Sequence, residues 1–475
     1  MESKEKLAII GGLGTLSGGD LFFKLLKSSK VLKNQMNYHF IFEQQPYNQM
    51  DVPLHHKEDI KSRKFYTYNI CKKFEEQNVT KILLPCFASH SFLDELQTEV
   101  SVPIVNLYAA ILEYLKNHFN KGSKIGILTS DFIKESDVLN TYFKEYELIF
   151  PEQQSVLMDS IYGENGIKNG ILEGFPLEHI YDICCDLENR CDVILPCITE
   201  ISLITDSLRK RGVRIIDINQ IYADYAFDDS GEKNPKPFKL GILGGVGPSA
   251  TVDFMNKIVK NTSAKKDQDH IKMIVEQNPQ IPDRTAHLIH NDVDPTIAMF
   301  STCKRLEAEG ANAIAIPCNT AHAFVNNIQP YLTIPIINML NVTAEYIVNT
   351  FGNTVNVGLL ATTGTLESRV YHDVLTYFSL DIITPDQENQ DHVMHSIYGE
   401  EGIKAGYTEG ACKKHILKAI KYLINSKADV IILGCTELPL MFQNQESITN
   451  GHREVMLIDP TLILAKECIR IAEQA

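Results

Sequence analysis

Short apolar runs and amphipathic stretches alternate along the whole chain. In the second half the runs fall at 240–243, 272–275, 313–316, 355–360 and 430–433. They are rich in β-branched residues and nearly continuous, the pattern of parallel strands covered on both faces. Between them, stretches such as 296–309 and 413–424 carry apolar residues at helical spacing. Strand and helix in alternation predict an α/β fold with open parallel sheets. In such sheets ligands sit at the carboxyl ends of the strands. The residues that directly follow the runs are therefore the first place to look for chemistry.

The same pattern is written twice. Gly11-Gly12-Leu13-Gly14 answers Gly244-Gly245-Val246-Gly247, and Asp20 answers Asp253. Pro85-Cys86 and His90 answer Pro317-Cys318 and His322. SIYGENGIKNG at 160–170 answers SIYGEEGIKAG at 396–406, and Thr199-Glu200 answers Thr436-Glu437. The order is kept and the offset stays near 232–237 residues. A tandem duplication is the expected organisation. The halves are 1–231 and 239–475, joined at 232–238 by a polar segment rich in Pro and Gly. Each half is large enough for two lobes.

Composition narrows the function. The 475 residues carry 45 Lys plus Arg against 60 Asp plus Glu, a formal charge of -15. So acidic a chain is ill suited to grip nucleic acid or an anionic membrane. No apolar run approaches the roughly 20 residues that a bilayer requires, and the charged start is not expected to act as a signal peptide. The 11 cysteines lack the spacing of a disulfide framework, which points to free thiols in a cytoplasmic protein.

Two of those cysteines stand at strand ends in polar turns. Cys318 opens Cys-Asn-Thr-Ala-His, and Cys435 opens Cys-Thr-Glu-Leu-Pro. Backbone N–H groups at the start of a following helix are expected to lower a thiol pKa. Asn319, Thr320 and Thr436 offer donors and acceptors for an ammonium and a carboxylate. The alternative is a pair of buried structural thiols. Cys318 and His322 are four apart, as a metal site would need, but no CxxC or HExxH accompanies them. A packing histidine is the expectation, and no metal. Gly245-Val246-Gly247-Pro248-Ser249-Ala250 fits a dinucleotide fingerprint. Its acidic partner, Glu276, comes later than that pattern asks, and the loop equally suits a carboxylate. Arg284, just past the second run, and Lys404 are cation candidates for a substrate carboxylate. Their alternatives are a solvated Arg pairing with Asp283 or Asp292 and an exposed helix lysine.

Taken in order, GGVGPSATVDF, NPQIPDRT, PCNTAHAF, LLATTGTLES and GCTELP closely resemble the aspartate/glutamate racemase family. The Gly-Val-Gly-Pro loop resembles its aspartate racemase branch. The resemblance covers the whole second half and implies two racemase-like halves, each of two open parallel-sheet lobes with the site between them. It implies cofactor-independent racemisation of aspartate or glutamate by two bases, without PLP. Cys318 and Cys435 would be the bases. Asn319, Thr320 and Thr436 would hold the amino-acid head, Arg284 and Lys404 its side-chain carboxylate, and Thr363 would line the site. Family members are commonly dimers, so the halves are expected to pack as an intramolecular pseudo-dimer.

The first half departs from this pattern. Phe87-Ala88 replace Asn319-Thr320, Ile198 takes the place of Cys435 with Cys197 one residue early, and Asp51 falls opposite Arg284. It is expected to lack racemase activity. Competing readings are a ligand-binding sensor on racemase lobes and a cysteine-dependent cis–trans isomerase of an unsaturated diacid. A nucleotide-dependent enzyme is the weakest alternative.

Overall fold

The computed structural model describes residues 5–45, 60–228, 237–442, 446–451 and 453–475. Asp51 and most of the segment 232–238 lie outside the described residues. The chain forms two compact units, Met1–Lys236 and Pro237–Ala475.

In the second unit, one sheet runs in the order Ile336–Ile337, Ala313–Ala315, Lys239–Gly244, Lys272–Gln277, all parallel. A second sheet runs Asp381–Ile383, Asn356–Leu360, Val430–Leu433, Arg453–Ile458, Ser447–Asn450. Each expected strand is present. The central ones, Lys239–Gly244 and Val430–Leu433, are buried almost throughout, because helices cover both faces. Lys272–Gln277 is an edge strand and only half buried, so continuous burial was too strong an expectation there. The second sheet is also not wholly parallel. Ser447–Asn450 and Arg453–Ile458 form an antiparallel hairpin that caps one edge.

The first unit repeats the plan in smaller form. Its sheets are Tyr38–Glu43, Glu5–Ile10, Lys81–Leu83, Ile104–Val105 and Glu147–Ile149, Lys124–Thr129, Val193–Cys197, every pairing parallel. The repeated aspartates, Asp20 and Asp253, join two helices in each unit. Lys257 pairs with Asp253 and with Asp459 at 2.6 Å. Asp459 in turn caps the helix Pro460–Gln474 by accepting from the N–H groups of Thr461 and Leu462. In the first unit Lys24 pairs with Asp20 at 2.6 Å and Asp217 at 2.8 Å, and Asp217 caps Ile218–Ala226.

Candidate active site

In the second unit the carboxyl ends of the central strands of both sheets face one cavity. After Ala313–Ala315 the chain delivers Cys318, Asn319 and Thr320 to it. After Val430–Leu433 it delivers Cys435, Thr436 and Glu437. Arg284, Lys404, Thr285, Thr362, Tyr398, Val246 and Gly434 complete the lining. Seven of the eight residues expected from sequence are brought together. Thr363 is not among the lining residues; its neighbour Thr362 is, while the Thr363 hydroxyl accepts from Gln390 at 3.2 Å.

The two cysteines meet opposite surroundings. Cys435 donates its thiol proton to Glu437 Oε2 at 3.0 Å. Burial, and then the Glu437 carboxylate, push this thiol well above its usual range. This reverses the expected lowering. The Glu437 backbone N–H does favour the thiolate, but it is outweighed, and the turn that follows, Leu438–Phe442, is a short 3-10 helix rather than an α-helix. Cys318 instead lies against the Arg284 guanidinium. Burial opposes the charge on Arg284, yet Cys318 and Asp283 hold the guanidinium above its usual value.

Arg284 is buried, not solvated. It donates to three backbone carbonyls, of Val246 at 3.1 Å, Pro282 at 3.0 Å and Ile281 at 3.4 Å. Lys404 is equally engaged, donating to Glu437 Oε1 at 2.9 Å. Burial works against both charges of this pair, but their attraction wins. The Lys404 ammonium is raised above, and the Glu437 carboxyl held below, the ordinary range. Lys404 also lies 5.3 Å from the centre of the Tyr398 ring.

The turn residues divide into bonded and available groups. Thr285, Thr320, Thr362 and Thr365 share their hydroxyls at 2.7–3.3 Å. Tyr371 donates to Asn319 Oδ1 at 2.6 Å, which leaves the buried Nδ2 donor without a partner. A buried donor left open costs free energy unless a ligand meets it. His322 is a packing residue. Its Nε2 accepts from the Met339 N–H at 3.1 Å, so its Nδ1 carries the proton and donates to the Cys318 carbonyl at 2.9 Å. Burial brings its pKa down to about 4, and both nitrogens are engaged by backbone.

The glycine loop lies against this site. Gly247 has φ +129°, and a Cβ there would stand 2.6 Å from Glu437 Oε1. Its missing side chain is what lets the carboxylate approach. Glu276, the candidate ribose ligand, pairs with Arg305 at 3.0 Å. Sequence reasoning missed Glu437, Tyr398, Thr285 and Thr362. For Glu437 the signal was present, since it belongs to the repeated Thr-Glu.

The first unit holds a parallel cavity. Cys86, Lys168, Thr199 and Glu200 line it, with Ile198 where the second unit has Cys435. Cys197 also reaches the lining and packs in the core. Lys168 and Glu200 pair at 2.9 Å. An arginine that the alignment of Asp51 with Arg284 did not point to reaches this cavity: Arg63, from the helix Ile60–Glu76, donates to Cys86 Sγ at 3.2 Å.

A model of the Asp/Glu/Hydantoin racemase family matches residues 10–226 and 243–468. The chain belongs to this family, in two tandem copies. It is 26% identical over 240 residues to the broad specificity amino-acid racemase RacX of Bacillus subtilis (strain 168), covering 48% of this chain and 96% of that protein. It is 26% identical over 167 residues to the glutamate racemase of Oenococcus oeni (strain ATCC BAA-331 / PSU-1), covering 34% and 55%. Among solved structures, Picrophilus torridus aspartate racemase is 31% identical, with a TM-score of 0.43, covering 50% of this chain and 94% of that one. No helix among the described residues is long and apolar enough to cross a membrane.

Proposed function

We propose that the second unit is a cofactor-independent racemase of an acidic amino acid, aspartate or its longer homologue glutamate. One observation carries the reading. Two cysteines from two sheets line one cavity in different surroundings, Cys435 bonded to Glu437 and Cys318 against a guanidinium. Inversion at Cα needs a proton removed from one face and another supplied to the opposite face. Cys318, as a thiolate stabilised by Arg284, takes the Cα proton and becomes a thiol. Cys435 gives its proton to the opposite face of the planar carbanion and becomes the thiolate. The reverse reaction exchanges the roles, so the two thiols titrate as a coupled pair.

The open Asn319 Nδ2 donor suits the substrate α-carboxylate, where negative charge develops as the proton leaves. The hydroxyls of Thr320 and Thr436 suit the ammonium. Arg284 and Lys404 bring two positive charges to the cavity against the one negative charge of Glu437 and that of the Cys318 thiolate, so the lining is neutral overall and both cations stand beside the substrate. Relatives named as broad specificity and as glutamate racemases support the class of substrate rather than one member of it.

The test is proton NMR of L-aspartate and L-glutamate in D2O with the full-length reduced protein and no added cofactor. Loss of the Cα–H signal together with appearance of the D-enantiomer by chiral chromatography is the expected result. A folded protein with reactive thiols that exchanges neither would refute the reading.

A further inference from the structure

We infer that Tyr371 is a positioning residue: it holds the Asn319 amide so that Nδ2, a donor, meets the substrate α-carboxylate. This deepens the racemase reading and rests on it. Tyr371 is not among the lining residues of the cavity. Its hydroxyl donates to Asn319 Oδ1 at 2.6 Å, and the two residues are 1% and 2% exposed. An amide carries an acceptor at one end and a donor at the other. Turned over, Asn319 would present its oxygen to the substrate carboxylate, acceptor against acceptor with no proton between them. The bond from Tyr371 occupies Oδ1 and leaves Nδ2 as the open end. Burial pushes the Tyr371 hydroxyl well above its usual range, so it keeps its proton and stays a donor near neutral pH.

The first unit supplies an internal comparison. At the spacing that relates Cys318 to Cys86, Asn319 falls on Phe87 and Tyr371 on Leu139. Glu367-Ser368 and Glu135-Ser136, just before the tyrosine and the leucine, keep that spacing. Both members of the bonded pair are thus replaced together by apolar residues, and Phe87 and Leu139 lie buried in one core cluster. Thr320 and Thr365 behave alike. Their hydroxyls meet at 2.7 Å, and their counterparts are Ala88 and Ile133. Where the residue at the cavity has lost its polar group, so has the residue bonded to it. The fold itself does not require the hydroxyl, since Leu139 fills the same place in a packed core.

The backbone is strained at the same point. Arg369, two residues before Tyr371, has φ +57° and precedes the helix Val370–Tyr377. Its counterpart Asp137 has φ −79° and precedes the helix Val138–Phe143. A left-handed turn is disfavoured for a residue with a Cβ and persists only where its surroundings over-determine it. The turn is present in the unit that carries the tyrosine and absent from the unit that does not.

The experiment is a double-mutant cycle on the full-length protein: wild type, Tyr371→Phe, Asn319→Ala and the double variant. Rates of racemisation of L-aspartate and L-glutamate are read by chiral chromatography, beside thermal melts. The donor acts where negative charge develops in the transition state. Tyr371→Phe should therefore lower kcat by about 10–100-fold and change KM by less than about threefold. In the Asn319→Ala background the same substitution should change kcat by less than about twofold, because a residue that acts through another has no effect once the other is gone. Equal loss in both backgrounds, or a wild-type kcat for Tyr371→Phe, overturns the inference. Lowered melting with an unchanged kcat of the folded protein shows a structural role and equally overturns it. Should a variant fail to fold, Tyr371→Met or Asn319→Ser, which also lack the hydroxyl or the amide, replaces it in the cycle. A wild type that exchanges neither amino acid overturns the racemase reading and this role with it. An active wild type with additive losses overturns this role alone.

Discussion

Replacing Glu437 with Gln tests the arrangement of the proposed active site most directly. The carboxylate is 4% exposed, accepts from the Cys435 thiol at 3.0 Å and pairs with Lys404 at 2.9 Å. Gln keeps the shape and an acceptor oxygen but removes the charge. Breaking a buried pair from one side costs about 3–5 kcal/mol, because the remaining charge is left uncompensated. The Lys404 side chain is 27% exposed, so water relieves part of that cost and the lower end, about 3 kcal/mol, is expected. The pH dependence has a definite sign. Glu437 is held below the ordinary carboxylate range, so its contribution is present above the unfolded value near 4.3 and is lost as pH falls through the folded value. Lys404 is raised, so its contribution is present below about 10.4 and is lost only as pH rises through the folded value. The deficit of Glu437→Gln should therefore be constant from about pH 5 to 9 and shrink in acid. Hydrogen exchange of peptides spanning Val430–Leu433 in the full-length protein reads the free energy. The same variant should ionise the Cys435 thiol at lower pH, since the carboxylate that opposes the thiolate is gone. Site-resolved alkylation across pH reads that. Unchanged stability together with an unchanged labelling profile would refute the assignment of Glu437.

Three further outcomes are expected. Cys318→Ala and Cys435→Ala should each abolish racemisation in both directions; wild-type-like turnover of either, by chiral chromatography, would remove the two-base mechanism. His322 is held near pKa 4 by burial while an unfolded histidine titrates near 6.5, so the unfolded state gains the proton first. Stability should then fall by about 3 kcal/mol as pH drops from 7 to 4, with His322→Gln flattening that slope in thermal melts; an unaltered slope would show that other groups set it. Gly247→Ala combines the strained φ of +129° with a Cβ 2.6 Å from Glu437 Oε1, so it should destabilise the second unit by about 1–3 kcal/mol and reduce turnover. A variant with wild-type melting and turnover would place Glu437 elsewhere.

Much of this was legible in the chain. The duplicated motifs gave the two units, and the polar turns after Ala313–Ala315 and Val430–Leu433 gave both cysteines. Short edge strands were not legible: Ile336–Ile337 and Asp381–Ile383 are too brief to show a period, and Ser447–Asn450 is half polar. Arg63 was missed for a physical reason. The connection from Tyr38–Glu43 to the helix Ile60–Glu76 is longer than that from Lys272–Gln277 to Arg284–His290. Counting by a fixed offset therefore lands on Asp51, while the buried guanidinium is supplied later in the chain. The thiol of Cys435 was misjudged because the sequence shows the helix-start N–H groups but not how fully Glu437 is buried against the sulfur.

The two cavities also separate what is chemical from what is structural in such a site. Ile198 has taken the place of the thiol that would donate to Glu200, yet Glu200 and Lys168 remain paired at 2.9 Å. A buried pair resists loss one member at a time, since either single change leaves a naked charge worth about 3–5 kcal/mol. Its survival in the first unit is thus accounted for by folding alone and is no evidence of turnover.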